Sequence, residues 1–410
     1  MRYSIVTFGC RVNQADSLSI EAGFLARGAV AVPPDEADVV VVNTCSVTAT
    51  ADQGARQTIR RVARANPSVR VIVTGCYATR APQDVVALPN VVRVVPNSNK
   101  DALLEVTAEE WFSSTAERFD GDGPCGRTVV PGVAGRTAFT LRVQTGCDQV
   151  CSYCIIPTTR GRGRSKPLLQ VVDDVHRAVA AGYKEIAITG VHLGSYGRDL
   201  AGHETLATLI ERLAGWPDEV LFRVSSLEPM DCTPEVVSLA ASSPRIAPHF
   251  HLPLQHGSDA MLRAMRRPYT AAYYAALVER IVEAMPDASI GSDMIIGFPG
   301  ETDDHFDESI SALRDLPLSH LHVFPYSDRP GTEASRLHPK VDGSLIRERS
   351  RRVRELGAEM THRFRAAHAG TIRRALVVDD GWSAVTDNYV KVRLEQQAER
   401  NTWIDARLPH

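Results

Sequence analysis

The nine residues "GCDQVCSYC", 146 to 154, place Cys147, Cys151 and Cys154 in the pattern C-x3-C-x2-C. Cysteine thiolates are the usual ligands of iron–sulfur clusters, and three in one tight loop match three irons of a cubane. The fourth iron is then open to a small molecule, as at catalytic rather than structural metal sites. A structural zinc site is the alternative reading, although zinc loops usually pair C-x2-4-C with a second Cys or His pair downstream. Three further cysteines stand alone in sequence: Cys10 closing "YSIVTFGC", Cys45 closing "VVVVNTC" and Cys76 closing "VRVIVTGC". A lone buried cysteine is ordinarily a small hydrophobe, but three in one placement point to a shared ligand. Cys125 and Cys232 have no such pattern and read as inert thiols.

The elements that carry these residues follow from hydropathy. Residues 1 to 106 alternate apolar runs, with strands expected near 3–8, 38–43, 70–74 and 91–95, with helical stretches between them. Such alternation implies parallel strands joined by right-handed crossovers in an open α/β sheet, with ligands at the carboxyl ends of the strands. Cys10, Cys45 and Cys76 all lie just past such ends, and strands about 4.8 Å apart allow their loops to converge. Residues 107–137, with "SSTAERFDGDGPCGRTVVPGVAGR", are polar and rich in Gly and Pro and read as a linker. A second alternation fills 138–344, with strands near 139–143, 185–189, 220–225, 249–254, 290–295 and 320–324. Six strands with intervening helices fit a partial (β/α)6 barrel whose chemistry sits on the loops after the strands. Residues 345–410 open with a basic segment, nine arginines against three glutamates over 345–376, and end in short strand-like runs expected to form a small antiparallel β-barrel.

Bulk composition narrows the function classes. A chain of 410 residues with net charge −3 is not a globally basic nucleic-acid binder, so any polyanion must meet a local patch. Eight cysteines are too sparse for a disulfide scaffold. No run approaches the roughly 18 apolar residues of a membrane span, and the N-terminus lacks signal-peptide features. The expectation is a cytoplasmic monomer without a membrane partner.

A C-x3-C-x2-C loop after the first strand of a β/α barrel resembles the radical S-adenosylmethionine (SAM) enzymes. "GVHLGSYG" (190–197), "RVSSLEP" (223–229), "HLPLQHGSD" (251–259), "SDMIIGFPGET" (292–302) and "VFPYSDRPGT" (323–332) resemble, in order, the motifs of one branch, the methylthiotransferases. The resemblance implies that Cys147, Cys151 and Cys154 are the catalytic ligands of a [4Fe–4S] cluster that binds SAM. It implies that Tyr153 packs near the adenine, and that Glu228, Gln255 and Asp293 line the SAM pocket. By the same resemblance Cys10, Cys45 and Cys76 hold a second [4Fe–4S] cluster, and the C-terminal barrel is a TRAM-like RNA-binding module. The implied reaction replaces C2–H of an adenine with a methylthio group, one SAM giving the methyl and another the radical, with a protein reductant. The sequence leaves the sulfur donor open.

The substrate is read from two loops. "FGCRVNQAD" and "NTCSVTATAD" resemble the branch acting on N6-threonylcarbamoyladenosine in tRNA, whereas the isopentenyladenosine branch tends to G-C-x-M-N and N-T-C-S-I-R-E. The alternatives are the same chemistry on isopentenyladenosine or on a ribosomal-protein aspartate, or an iron–sulfur RNA-binding protein without turnover. Candidate tRNA contacts are Arg56, Arg60 and Arg64, spaced i, i+4 on one helix, and Arg351, Arg352, Arg354, Arg373 and Arg374. "TRGRGRSK" at 159–166 adds four charges beside the cysteine loop. Basic side chains on phosphates give affinity without sequence information.

Overall fold

The computed structural model describes residues 1–106, 131 and 137–409. Most of the expected linker and Cys125 lie outside them. The chain divides into two compact units: the first takes in the described N-terminal residues with 146–148 and 155–162, and the second holds the rest.

In the first unit, β1 (Arg2–Thr7), β2 (Val30–Ala31), β3 (Val39–Thr44), β4 (Arg70–Gly75) and β5 (Val91–Val95) form one sheet in the order β2-β1-β3-β4-β5. Every pairing is parallel. The four valines of β3 are explained by burial on both faces, which favours a continuous apolar run. Val40 and Val42 pack with Ile59 and Val62 of the helix Ala49–Ala65. Val39 and Val41 pack on the other side with Ile20 and Phe24 of the helix Arg11–Ala26. In register, Thr7 faces Asn43 and Thr44 faces Gly75, so β1, β3 and β4 end side by side.

The second unit carries β6 (Phe139–Arg142), a short antiparallel pair of β7 (Gln144–Thr145) with β8 (Arg164–Ser165), then β9 (Glu185–Thr189), β10 (Leu221–Val224), β11 (His249–His251), β12 (Ser289–Ile296) and β13 (His320–Pro325). Parallel sheets run β10-β9-β6 and β11-β12-β13, and a parallel bridge from Phe222 to Ile246 links β10 to the segment leading into β11. This is the strand sequence of a partial (β/α)6 barrel. The helix Gly343–Ala367 adds Val353, Leu356 and Met360 to the same core. After it, β14 (Ile372–Val378), β15 (Ser383–Thr386), β16 (Lys391–Arg393) and β17 (Trp403–Arg407) form an antiparallel sheet, order β16-β15-β14-β17. Arg223, fully buried, fastens this sheet to the barrel: its guanidinium pairs with Glu185 at 3.0 Å and donates to the Asp387 carbonyl at 3.0 Å. Among the described residues, no helix is long and apolar enough to cross a membrane.

Candidate functional site

Three cysteine loops meet at the carboxyl end of the first unit's sheet. Cys10 precedes the helix Arg11–Ala26, Cys45 follows β3, and Cys76 opens the short helix Cys76–Arg80. Asn13 ties the first two loops together, donating from Nδ2 to the Phe8 carbonyl at 2.7 Å and the Thr44 carbonyl at 3.0 Å. Thr44 ties the second to the third, accepting at Oγ1 from the Ala78 amide at 3.2 Å. Two glycines permit this closeness. A Cβ on Gly9 would stand 2.7 Å from Cys45 Sγ, and one on Gly75 would stand 2.2 Å from the Thr44 carbonyl oxygen. Both have positive φ, 91° and 99°, which side chains rarely tolerate. Burial pushes the Cys45 thiol up to about 12, and neighbouring Cys10 and Cys76 add to the rise. Such a thiol keeps its proton until a metal displaces it, and the convergence of the three loops fits a shared iron–sulfur ligand set.

The C-x3-C-x2-C loop is held at its middle. Ser152 is pinned by its own groups: its amide donates to the Met265 carbonyl at 3.2 Å, its hydroxyl to the Ala264 carbonyl at 2.8 Å, and its carbonyl accepts from the Ala334 amide at 2.8 Å. Tyr153 packs against the cluster of Met261, Met265, Phe298 and Ala334, and burial raises its hydroxyl well above the ordinary range. Beside the loop, Arg267 Nη1 lies 3.0 Å from Cys151 Sγ, and Nη2 pairs with Glu228.

Glu228 and Gln255 follow β10 and β11, and Asp293 lies on β12. Gln255 adopts φ 72°, a left-handed conformation unusual for a residue with a side chain, and is clamped there by β12: its amide donates to the Asp293 carbonyl and its carbonyl accepts from Ile295, both at 2.8 Å. Burial would raise the Asp293 carboxyl, yet His251 at 3.0 Å and His322 at 3.1 Å hold it at about 2. The three sequence-derived pocket residues thus sit on consecutive strands or the loops that follow them.

The family model described as uncharacterized protein family UPF0004 matches residues 2–96, and that of the radical SAM superfamily matches 141–313. The threonylcarbamoyladenosine tRNA methylthiotransferase MtaB of Aquifex aeolicus is 38% identical over 405 residues, covering 97% of this chain and 98% of that protein. Its Bacillus subtilis namesake is 34% identical, covering 94% and 88%. The chain belongs to the radical SAM methylthiotransferases. Another relative, the tRNA-2-methylthio-N(6)-dimethylallyladenosine synthase of Chloroflexus aurantiacus, is 33% identical, covering 92% of this methylthiotransferase and 81% of the relative. Among solved structures, the radical SAM methyltransferase TsrM from Kitasatospora setae matches with a TM-score of 0.58 at 16% identity, covering 82% of this chain and 76% of that one. That likeness concerns the fold.

The candidate RNA contacts separate into two kinds. Arg60, Arg64, Arg351, Arg352 and Arg354 of this methylthiotransferase are exposed, Arg351 pairing with Glu355 at 2.6 Å. Arg56 is half-buried and donates to Tyr77 Oη at 3.0 Å, and Arg352 lies 4.8 Å over the Phe306 ring. Arg374 covers the Trp403 ring at 4.0 Å and pairs with Glu219 at 2.8 Å. Arg373 turns inward, its side chain 12% exposed between Asp387 and Asp287 at 2.8 and 2.9 Å, which leaves it little to offer a phosphate. Two more arginines of the basic runs are buried: Arg349 pairs with Glu301 and Asp303 at 2.6 Å each, and Arg160 pairs with Asp16. Sequence reasoning missed Arg267, because "AMRRPY" carries no spacing that marks it. It also missed the His251–Asp293–His322 trio, although period-two histidines in "HFHL" and "HLHVF" were a visible signal.

Proposed function

We propose that the chain methylthiolates C2 of N6-threonylcarbamoyladenosine at position 37, next to the anticodon of tRNA, consuming two SAM molecules. The observation that carries this reading is the pairing, in one chain, of a C-x3-C-x2-C loop with three tethered cysteine loops, the first reading "FGCRVNQAD" and the second "NTCSVTATAD". We assign 1–106, 138–344 and 345–410 to sulfur delivery, radical generation and RNA contact. We place the enzyme in the cytoplasm as a monomer served by a protein reductant.

Cys147, Cys151 and Cys154 would hold one [4Fe–4S] cluster and Cys10, Cys45 and Cys76 another; when bound, the first would supply the electron for SAM cleavage and the second a place to hold sulfur for delivery. Breaking a non-acidic C–H bond lies beyond acid–base side chains, which is why the chemistry belongs to cofactors. The protein's share is placement. Arg267 contacts both Cys151 Sγ and the Glu228 carboxylate, and so holds in place an acceptor that would serve the amino group of SAM. The fixed backbone at Gln255 presents its side chain from a loop that cannot relax without breaking two hydrogen bonds to β12. Asp293, ionised at any physiological pH, accepts from histidines and keeps a negative charge within the pocket wall. Exposed Arg60, Arg64, Arg351 and Arg354 supply phosphate contacts.

Deletion of the gene, followed by mass spectrometry of tRNA nucleosides, tests the assignment. The 2-methylthio derivative of threonylcarbamoyladenosine should disappear while the unmodified nucleoside accumulates. Loss of a methylthiolated isopentenyladenosine instead would move the substrate to the other branch.

A further inference from the structure

The last barrel strand, β13, divides its side chains by face. Leu321 and Val323 pack into the core shared with the helix Gly343–Ala367, so the alternate residues His320, His322 and Phe324 turn to the inside of the partial barrel. In register, Gly291 of β12 lies beside His320, Asp293 beside His322 and Ile295 beside Phe324. The inner wall therefore changes character along the strands. Its middle is polar, with Asp293 Oδ1 3.1 Å from His322 Nδ1 and 3.0 Å from His251 Nε2. Its carboxyl end is apolar: Ile295 packs against the cluster of Met261, Met265, Phe298 and Ala334 that Tyr153 also joins, whereas Phe324 is 40% exposed. The His322 side chain is 55% exposed, and its ring stands edge-on to that of Phe324 with centroids 6.5 Å apart.

An aromatic ring exposed on the inside of a barrel is a ready stacking surface for a flat ligand, and a purine offers two π-faces to it. Asp293 and Tyr153 are assigned to the SAM pocket. The adenine that loses hydrogen at C2 must lie against the carbon that takes it, within about 3–3.5 Å. Adjacent strands are about 4.8 Å apart, so β13 side chains beside Asp293 and Ile295 are within reach of that base. The substituent on N6 adds a second demand. Threonylcarbamoyl carries N–H, hydroxyl and carboxylate groups, all hydrogen-bond partners for an imidazole, whereas isopentenyl is a hydrocarbon. Asp293, an acceptor only when ionised, orients the His322 ring through Nδ1.

We propose that Phe324 stacks on the adenine to be modified and that His322 binds its N6 substituent, so that these two residues select the nucleoside. The proposal rests on the reading that threonylcarbamoyladenosine in tRNA is the substrate. A base that enters such a site leaves its own stack, and an aromatic ring on the wall offsets that loss. Phe324 supplies affinity for any adenine; His322 supplies the preference for a polar substituent over an apolar one.

The test is equilibrium binding of three anticodon stem–loop RNAs to the anaerobically reconstituted full chain, with SAM present and no reductant. The RNAs differ at one position, which carries threonylcarbamoyladenosine, isopentenyladenosine or adenosine. Phe324→Leu, which keeps apolar bulk but loses the flat face, should weaken binding of all three at least about fivefold while SAM affinity stays unchanged. Phe324→Tyr, which keeps the face, should stay near the parent. His322→Leu should remove the preference for the threonylcarbamoyl RNA over the isopentenyl one and leave binding of the adenosine RNA unchanged. Parent-like RNA binding by Phe324→Leu, a fall in its SAM affinity, equal weakening in Phe324→Leu and Phe324→Tyr, or a preference kept by His322→Leu would overturn the proposal. A parent that does not prefer the threonylcarbamoyl RNA would instead overturn the substrate reading beneath it, and this proposal with it.

Discussion

Arg267 Nη1 lies 3.0 Å from Cys151 Sγ, and the same guanidinium pairs with Glu228. Its Nε donates to Tyr269 Oη at 3.0 Å, and that hydroxyl bonds the carbonyls of Pro253 and Leu254 at 2.8 and 3.1 Å, immediately before Gln255. One buried arginine therefore connects a cysteine of the C-x3-C-x2-C loop to two of the residues assigned to the SAM pocket.

Arg267→Met should weaken SAM binding by at least about tenfold, about 1.4 kcal/mol, because Glu228 loses the partner that orients it. Arg267→Lys, which keeps the charge but not the planar fork, should fall between. Equilibrium dialysis against the anaerobically reconstituted enzyme measures this. Unchanged affinity in the methionine variant would mean that the arginine only braces the loop.

The two cysteine sets should separate in function. Cys151→Ala should abolish release of 5′-deoxyadenosine from SAM, whereas Cys45→Ala should retain part of it and lose sulfur insertion. Chromatography of the SAM products alongside the tRNA nucleosides reads both. Equal loss of cleavage in the two variants contradicts separate roles.

Most of the fold was legible in the sequence because strand periodicity is a local property. Four valines marked β3 since both of its faces are covered, and each barrel strand was found where its apolar run lies. The two-residue β2 was too short to give a pattern. Charge pairing, by contrast, is tertiary. Arg160 reads as one more phosphate contact in "TRGRGRSK", yet it reaches Asp16 from 144 residues away and is buried. Arg373 likewise stands in a basic run and is engaged by Asp287 and Asp387. The two sets of three cysteines could be picked out by position; the ion-pair partners of the arginines beside them could not.

Arg60→Ala and Arg64→Ala should each weaken tRNA binding regardless of the modified base and lower the salt-dependence slope by about 1. Arg373→Ala should leave that slope unchanged and lower thermal stability instead, since it uncovers two carboxylates. Filter binding across a salt series, with melting curves in parallel, distinguishes the outcomes. An Arg373→Ala slope change matching that of Arg60→Ala would reassign Arg373 to the RNA surface.

His320 is drawn from the usual 6.5 down to about 4, first by burial and then by the charges of His322 and His251. The unfolded chain takes up this proton near 6.5 and the folded chain only near 4, so stability is lost as pH falls through that window. The loss amounts to about 3 kcal/mol at about 1.36 kcal/mol per unit. Urea midpoints measured across the window should decline less in His320→Gln than in the parent. Parallel declines would place the titrating group elsewhere.

The central claim is tested most directly by incubating the reconstituted enzyme with SAM, a reductant and tRNA that already carries threonylcarbamoyladenosine, then digesting the tRNA for mass spectrometry. The expected product is the 2-methylthio derivative of that nucleoside, formed together with 5′-deoxyadenosine. Release of 5′-deoxyadenosine with no methylthiolated threonylcarbamoyladenosine, while isopentenyladenosine-bearing tRNA is converted, would contradict it.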